Sequence, residues 1–357
     1  MVASDLCIAE DEFMIHLLDQ SLGQLQNWFI DQGLPAYRAR QVRRWLFKKR
    51  AADFKAMTDL PPPLRTMLAE HFTIWSMQIA SHHKSKDGTQ KLYLKLHDGE
   101  GIECVLLCDD RHHWAICISS QVGCAMKCAF CASGIDGVVR NLTAGEIVEQ
   151  MLQLQRLLDV HQRLSHIVVM GMGEPLLNLD ALLPALDAAT QPDGLGISVR
   201  RVTISTVGLP KGIRRLAKLD CPYHLAVSLH APDDEIRSRI VPSNRAIGMK
   251  EILAAADEYF QRTGRRVTFE YVLLAGVNDQ PEHAKKLVKF LRGRPALINL
   301  IPYNPVPGLP FHTPAPAVTA EFVEILTRGG MTAKIRYRKG DRISAACGQL
   351  RRLKTNV

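Results

Sequence analysis

The sequence lacks the usual features of a membrane or secreted protein. No apolar run among its 357 residues approaches the roughly 20 needed to span a bilayer. The first residues, MVASDLCIAEDEF, are acidic and mixed, unlike a secretory signal or an Arg-rich transit peptide. The cysteine count, nine, is odd, which argues against a disulfide framework in a long chain. We therefore expect a cytoplasmic protein whose cysteines serve metal or redox chemistry.

Acidic residues are nearly missing from two stretches of this basic chain. The formal net charge is +9. Residues 37–50 contain seven basic residues and no acid, and residues 334–354 contain eight basic residues and one acid, Asp341. Either patch alone is equally consistent with a solvated helix or strand face. Together they favour a polyanionic partner such as RNA or DNA.

Hydrophobic periodicity divides the chain into four parts. They are a helical, basic accessory domain (1–85), a β-hairpin connector (86–113), a strand–helix core (114–330) and a C-terminal segment carrying Cys347 (331–357). The basic charge of the first part makes it the candidate RNA-binding domain. The core strands are expected at 114–119, 166–170, 201–206, 224–229, 267–273 and 297–301, and a last strand at 332–338. This alternation predicts an α/β fold with parallel strands in a sheet or partial barrel and helices outside. In the hairpin, Glu103 is expected on the face opposite Cys104.

Three cysteines lie within eight residues, at Cys124, Cys128 and Cys131. A structural zinc site needs four closed ligands, usually in two pairs, and the sequence has no second Cys-x2-Cys pair. A [4Fe–4S] cluster usually has four cysteine ligands, so three leave one iron open to a small molecule. The motif therefore predicts a cluster that does chemistry on a ligand, with a zinc knuckle as the alternative.

Polar or glycine-containing segments follow four of the core strands. They are 171–175, 205–206, 228–230 and 303–305. Each alone is consistent with a simple turn or strand end. Because active sites in αβ barrels gather at the carboxyl ends of the strands, these segments jointly predict a cofactor pocket.

The chain resembles the RlmN/Cfr family of radical S-adenosylmethionine RNA methyltransferases over nearly its whole length. The segments that carry the resemblance are YRARQVRRW (37–45), MTDLP (57–61), CISSQVGC (117–124), GMGEPL (171–176), SLHA (228–231), NLIPYNP (299–305) and AACGQL (345–350). The resemblance implies a radical S-adenosylmethionine core built as a partial (β/α)6 barrel, with a small N-terminal helical domain and a C-terminal extension.

The resemblance also implies residue roles, position by position. The cluster ligands would be Cys124, Cys128 and Cys131. The S-adenosylmethionine contacts would be Gly173, Glu174, Ser205, Ser228, Leu229, His230 and Asn304. Cys347 would carry the methyl group, Cys117 would be its thiol partner and Glu103 the proton acceptor. Four further cysteines are interpreted as structural: Cys7, Cys104, Cys108 and Cys221.

The implied reaction is methylation of C2 of an adenine in 23S rRNA and in tRNA. C2 is not nucleophilic, so a cofactor must carry the hard step. In the family scheme, one S-adenosylmethionine methylates Cys347, and a second yields a 5'-deoxyadenosyl radical that takes a hydrogen from that methyl group. The resulting carbon radical adds to the base. Loss of a proton and attack by Cys117 on the Cys347 sulfur then leave a transient disulfide, which is reduced before the next cycle.

The implied partners are RNA and an electron donor such as flavodoxin or ferredoxin, with a monomer expected. Two alternatives stay open. A Cfr-like enzyme would methylate C8 of the same rRNA adenine, although the long basic N-terminus favours C2. A non-catalytic RNA-binding protein would hold zinc on its cysteines. The sequence departs from the family pattern at residues 206–208, Arg342 and Ser344, and the basic Arg342 is placed to contact phosphate.

Overall fold

The computed structural model describes residues 14–109, 113–219, 223–336, 339–340 and 343–352. Four residues named in the sequence analysis, Cys7, Cys221, Asp341 and Arg342, lie outside the described residues. Within the described ranges, none of the helices combines the length and the apolar character that a membrane crossing requires.

Three helices and one short strand pair form the N-terminal unit. They are β1 (Ile15–His16), α1 (Leu22–Asp31), α2 (Arg38–Phe47), α3 (Pro62–His71) and β2 (Phe72–Thr73). A capping box starts α1, because the Ser21 hydroxyl accepts from the Gln24 backbone N–H and the Gln24 side chain accepts from the Ser21 N–H. Phe29 of α1 and Val42 of α2 are fully buried, so the apolar stripes of these two helices lie in the core.

Twelve further strands are found in the described part of the chain. They are β3 (Gln78–Lys84), β4 (Gln90–Lys95), β5 (Gly101–Cys108), β6 (Trp114–Cys117), β7 (Gln121–Gly123), β8 (Val138–Asn141), β9 (Leu164–Val169), β10 (Val202–Thr206), β11 (His224–Ser228), β12 (Val267–Leu273), β13 (Ala296–Pro302) and β14 (Thr332–Ile335). Strands β7 and β8 pair with each other beside the cysteine motif. The other ten form one sheet in the order β14-β13-β12-β11-β10-β9-β6-β5-β4-β3.

The seven strands from β14 to β6 in this order run parallel, as the sequence predicts. The six predicted core strands are found within two residues of their expected bounds. The helices along the core are α4 (Ala144–Arg156), α5 (Leu179–Thr190), α6 (Pro210–Leu216), α7 (Asp234–Ile240), α8 (Met249–Thr263), α9 (Pro281–Leu291) and α10 (Pro316–Arg328). The α/β class and the N-terminal helical unit are thus confirmed.

The hairpin region differs from the expectation in two ways. Strands β4 and β5 are not only a connector, since β5 pairs antiparallel with β6 and so extends the core sheet. Residues 78–84 were expected to be helical but form the strand β3 at the edge of the sheet. An edge strand has one unpaired side and few buried residues, so its sequence carries little hydrophobic alternation.

Candidate active site

Two adjoining cavities lie at the carboxyl ends of the parallel strands. The first has a volume of about 140 Å³ and the second of about 240 Å³. The residues that line both are Met170, Ile301, Asn304, Arg336 and Cys347. Because the cavities share this wall, a ligand in one lies next to a ligand in the other.

The cysteine motif forms a loop on the wall of the first cavity. The Cys124 backbone N–H donates to the Gly137 carbonyl at 2.9 Å, and the Cys131 N–H donates to the Cys128 carbonyl at 3.1 Å. Lys127 has a φ of 52°, in the left-handed region, which turns the chain sharply between the first two cysteines. The loop therefore places all three cysteines of the motif along one cavity.

The donors of this loop fit an iron–sulfur cluster. Cys124, Cys128 and Cys131 are free and half-buried. Burial raises the pKa of Cys124 to about 12, so this thiol keeps its proton until a metal displaces it. In the described part of the chain, no group of three or more His, Cys, Asp or Glu side chains is arranged around a single metal ion. A four-iron cluster bonds each thiolate to a different iron, so its ligands need not converge on one point.

Glu174 joins the ends of two neighbouring strands. Its Oε2 accepts from the Val207 backbone N–H at 2.9 Å, and its own N–H donates to Gln121 Oε1 at 2.8 Å. Burial raises the pKa of the Glu174 carboxyl to about 7. Gly173 has a φ of +107°, and a Cβ there would lie 2.7 Å from Ser120 Oγ. The close approach of this segment to the cavity therefore depends on glycine.

His230 presents a neutral ring to the first cavity. Its Nδ1 accepts from the Val272 backbone N–H at 3.1 Å, which assigns the ring proton to Nε2. Burial, and next the charge of Arg237, lower the pKa of His230 to about 3, so the ring stays uncharged at neutral pH. The edge of the ring packs against Phe130, with centroids 5.0 Å apart. His230 can therefore donate one hydrogen bond to a bound ligand.

Four of the other expected cofactor contacts also line the first cavity: Ser205, Ser228, Gly173 and Asn304. The hydroxyls of Ser205 and Ser228 lie 3.4 Å apart. Leu229 differs from the expectation, because its side chain is fully buried and lines neither cavity. A contact at Leu229 would have to come from its backbone.

Cys347 and Cys117 meet at the second cavity, although they are far apart in sequence. Asn304 Nδ2 donates to the Cys347 carbonyl at 3.1 Å, and the carbonyl of the next residue, Gly348, accepts from the Ala132 N–H beside the cysteine loop. Cys117 is buried and Cys347 half-buried, and both are free thiols. Burial, and next the charge of Cys347, raise the pKa of Cys117 to about 12.

Glu103 lines neither cavity. Its Oε1 forms an ion pair with Lys91 Nζ at 2.7 Å, and its Oε2 accepts from the Arg351 backbone N–H at 2.8 Å. Lys91 Nζ also donates to the Ser344 carbonyl at 3.3 Å. Glu103 on β5 and Lys91 on β4 therefore hold the segment that carries Cys347 against these two strands.

Sequence reasoning missed Arg336 and Glu270, which both line the first cavity. The pKa of the Arg336 guanidinium lies above its usual range. The largest cause is the charge of the nearby Cys347, and the charge of Glu270 contributes less. Glu270 Oε2 accepts from Asn299 Nδ2 at 2.8 Å. Arg336 directly follows β14, so the rule that polar residues follow successive strands would have found it.

Two family models match the chain. The model of the Radical SAM superfamily matches residues 118–290. The model of the ribosomal RNA large subunit methyltransferase N-terminal domain matches residues 15–74.

Relatives match the chain over nearly its full length. A probable dual-specificity RNA methyltransferase RlmN of Rhodopirellula baltica is 59% identical, over 96% of this chain and 92% of the relative. A protein of the same name from Symbiobacterium thermophilum is 45% identical, over 93% of this chain and 90% of the relative. The crystal structure of a radical SAM methyltransferase from Sphaerobacter thermophilus superposes with a TM-score of 0.92, at 43% identity, over 94% of this chain and 99% of that chain.

Proposed function

Because this chain belongs to the RlmN family of radical S-adenosylmethionine RNA methyltransferases, we propose that it methylates C2 of adenine in 23S rRNA and in tRNA. The observation that carries the proposal is the position of Cys347 in the wall shared by both cavities. A thiol there has a cofactor site on one side and space for a base on the other. It is thus placed to pass a methyl group between them.

The first cavity would hold the cofactors. Cys124, Cys128 and Cys131 would hold a [4Fe–4S] cluster, which would supply the electron that cleaves S-adenosylmethionine, and two S-adenosylmethionine molecules would be used per turnover. The side chains of Glu174 and His230, with the other strand-end residues, would orient S-adenosylmethionine. Cys347 must lose its proton to accept a methyl group, because the thiolate is the nucleophile.

Cys117 would release the product from Cys347. Its thiolate would attack the Cys347 sulfur, which forms an S–S bond and breaks the bond between that sulfur and the carbon now on the base. The electron pair of the broken bond would stay with the carbon, which takes up a proton to become the methyl group, and the unpaired electron of the base adduct would leave to the oxidised cluster. An external reductant would then supply two electrons to restore both thiols. Glu103 would accept the proton lost from the base, and its contact with Arg351 would have to open first because Glu103 lines neither cavity.

The basic helix α2 supports RNA as the substrate. Arg40 and Arg44 of α2, and Lys48 directly after it, are exposed, and none of the three forms an ion pair within the described residues. They would contact phosphates, which supply the sequence-independent part of the affinity for nucleic acids. We further propose a cytoplasmic monomer that takes electrons from a donor such as flavodoxin or ferredoxin.

The test is mass spectrometry of adenine nucleosides from rRNA and tRNA after the gene is deleted and restored. We expect 2-methyladenosine to disappear and return. A gene with Cys347→Ala should not restore it, whereas Cys104→Ala should, because Cys104 lines neither cavity. Dependence of 8-methyladenosine on the gene would instead establish C8 methylation. If neither nucleoside depends on the gene, the proposal is wrong.

Anaerobic purification tests the cluster separately. A brown protein that contains iron and sulfide is expected. A colourless protein that contains one zinc ion would instead support a non-catalytic role.

A further inference from the structure

Arg237 is a deeply buried cation whose guanidinium is hydrogen-bonded to neutral groups, while the Asp234 carboxylate acts on it at longer range. It is 1% exposed, and in the described part of the chain it forms no ion pair. Its donors go to the backbone carbonyls of Val207, Ser228 and Leu229 and to Asn244 Oδ1, the last at 2.7 Å. A buried charge that is only partly compensated is unfavourable. A negative charge beside this guanidinium would therefore be stabilising.

The cysteine loop lies next to Arg237. Arg237 precedes Ile240 by one turn of α7, and the Ile240 carbonyl accepts from the Ala129 backbone N–H at 2.9 Å. Ala129 directly follows Cys128, and the charges of Cys128 and Arg237 act on each other. The carbonyls that hold the guanidinium belong to residues just after β10 and at the end of β11, at the rim of the first cavity.

We propose that Arg237 is the fixed counter-charge of the iron–sulfur cluster and raises its reduction potential. This inference rests on the proposed function, because it requires a cluster at Cys124, Cys128 and Cys131. A cluster held by thiolates is negative overall and gains one more negative charge when it takes up an electron. A nearby positive charge stabilises the more negative form, and net charge is among the factors that set these potentials. Reduction is therefore easier with Arg237 in place.

The hydrogen bonds of Arg237 also hold the ends of β10 and β11 together. The variants must therefore separate the effect of the positive charge from the effect of these hydrogen bonds on the structure. Arg237→Gln removes the charge. Arg237→Lys keeps the positive charge but replaces the planar guanidinium and its N–H donors with a single ammonium group. Asn244→Asp keeps the guanidinium and places a carboxylate in hydrogen-bond contact with it, which compensates the charge, and it also replaces the hydrogen bond from Asn244 Nδ2 to Asp234 Oδ1 with a contact between like charges. Arg239→Gln is the matched control, because Arg239 is an exposed residue of the same helix.

The experiment is a reductive titration of the full chain with cluster bound, using dithionite as the one-electron donor. The reduced cluster is followed by electron paramagnetic resonance, and iron and sulfide are measured for every variant. We expect Arg237→Gln and Asn244→Asp to lower the ratio of reduced to oxidised cluster at a fixed potential by about tenfold. That change is a shift of about 59 mV to more negative potential for a one-electron couple. Arg237→Lys and Arg239→Gln should stay near the wild-type potential.

Several results would overturn the inference. Potentials that are equal in all variants would do so, and so would equal shifts in Arg237→Lys and Arg237→Gln, which would indicate bracing alone. If Arg237→Gln does not fold or does not retain its cluster, the reduction potential of Asn244→Asp tests the inference instead. A potential equal to that of wild type would then overturn it. A wild-type chain without iron and sulfide would overturn the proposed function together with this inference, whereas equal potentials in cluster-containing variants would overturn this inference only.

Discussion

At the scale of single residues, one buried ion pair holds the C-terminal segment beside the cavities. The carboxylate of Glu103 and the ammonium of Lys91 lie 2.7 Å apart, with side chains 5% and 9% exposed. Each also binds the backbone of the C-terminal segment, at Arg351 and Ser344 respectively. The position of Cys347, which lies between these two anchors, depends on the pair.

Lys91→Met should therefore destabilise the protein strongly. It leaves the Glu103 carboxylate buried without its cation, which costs about 3–5 kcal/mol of the free energy of unfolding. Urea unfolding monitored by circular dichroism measures this change. Lys95→Met is the control, because Lys95 lies on the same strand but is exposed, and should stay within about 0.5 kcal/mol of wild type. Similar losses in both variants would show that the pair does not anchor the segment.

The residues that take part in the reaction could be predicted from the sequence. The contacts that hold these residues in place could not be predicted as well. Cys347 and Cys117 stand in recognisable motifs, and the structure brings both to one cavity. The contact between Glu103 and Lys91 depends on the register of β4 and β5, in which Glu103 pairs with Tyr93 and not with Lys91. The sequence around Arg237 is that of an ordinary helix and does not indicate that this arginine is special. Only its burial in the structure distinguishes it.

At the scale of elements, successive parallel strands end beside one another and so bring together segments that are distant in sequence. The turn after β9 approaches the segment after β6, where a Cβ on Gly173 would lie 2.7 Å from Ser120 Oγ and 2.8 Å from the Gln121 side chain. The same turn positions Glu174 for its hydrogen bond to the Val207 N–H after β10.

Gly173→Ala should consequently weaken cofactor binding. The added methyl group has no room, and the φ of +107° is strained for alanine. The turn must move, so we expect the affinity for S-adenosylmethionine to fall at least about tenfold, which is roughly 1.4 kcal/mol. Isothermal titration calorimetry with the cluster-loaded protein measures the affinity.

Gly23→Ala is the control for this substitution. Gly23 lies in α1 with an ordinary φ, and a Cβ there would contact nothing within 4 Å. This variant should keep the affinity and gain stability, because alanine favours helices more than glycine does. Unchanged affinity in Gly173→Ala would show that the turn does not shape the cofactor site.

The sequence predicted the elements of the core well because each buried parallel strand is a short apolar run between turn residues. The strand β12, at Val267–Leu273, was predicted with its observed bounds. The join of β3, β4 and β5 to the core sheet was not predicted, because strand pairing is non-local and the edge strand β3 has mostly exposed residues.

At the scale of the whole molecule, a half-buried histidine links the N-terminal unit to the core. His16 lies 3.4 Å from Asp19 Oδ2 and 3.3 Å from Glu149 Oε2. Glu149 belongs to α4 and also accepts from the backbone N–H groups of Ser76 and Met77. Burial opposes the charge on His16, but hydrogen bonds with Asp19 and Glu149 outweigh it and raise its pKa to about 9.

This histidine predicts a loss of stability in mildly alkaline solution. Because the pKa of His16 is higher in the folded state, its contribution is complete below pH about 6.5 and is lost as the pH rises through about 9. The shift corresponds to a contribution on the order of 3 kcal/mol. Urea unfolding at a series of pH values should show this decline in wild type and a flatter profile in His16→Gln. Parallel profiles would contradict the prediction.

The basic face of α2 predicts how RNA binding depends on salt. Changing Arg40, Arg44 and Lys48 together to Gln should weaken binding at low salt. The slope of the logarithm of the RNA-binding constant against the logarithm of the salt concentration should also become shallower by about two units. Each lost phosphate contact removes about 0.7–0.9 from that slope. Filter binding measures both. The control changes three exposed basic residues in and after α9: Lys285, Lys289 and Arg292. An equal loss in the control would indicate that net charge alone matters.

The most direct test of the account asks whether the methyl group on RNA comes from Cys347. The enzyme is first methylated with S-adenosylmethionine that carries a deuterated methyl group, freed of excess cofactor, and then given RNA, reductant and unlabelled S-adenosylmethionine. Mass spectrometry of the nucleosides formed in the first turnover is the measurement. Methyl transfer through Cys347 predicts deuterium in the new methyl group of 2-methyladenosine, whereas an unlabelled methyl group there would rule out this route.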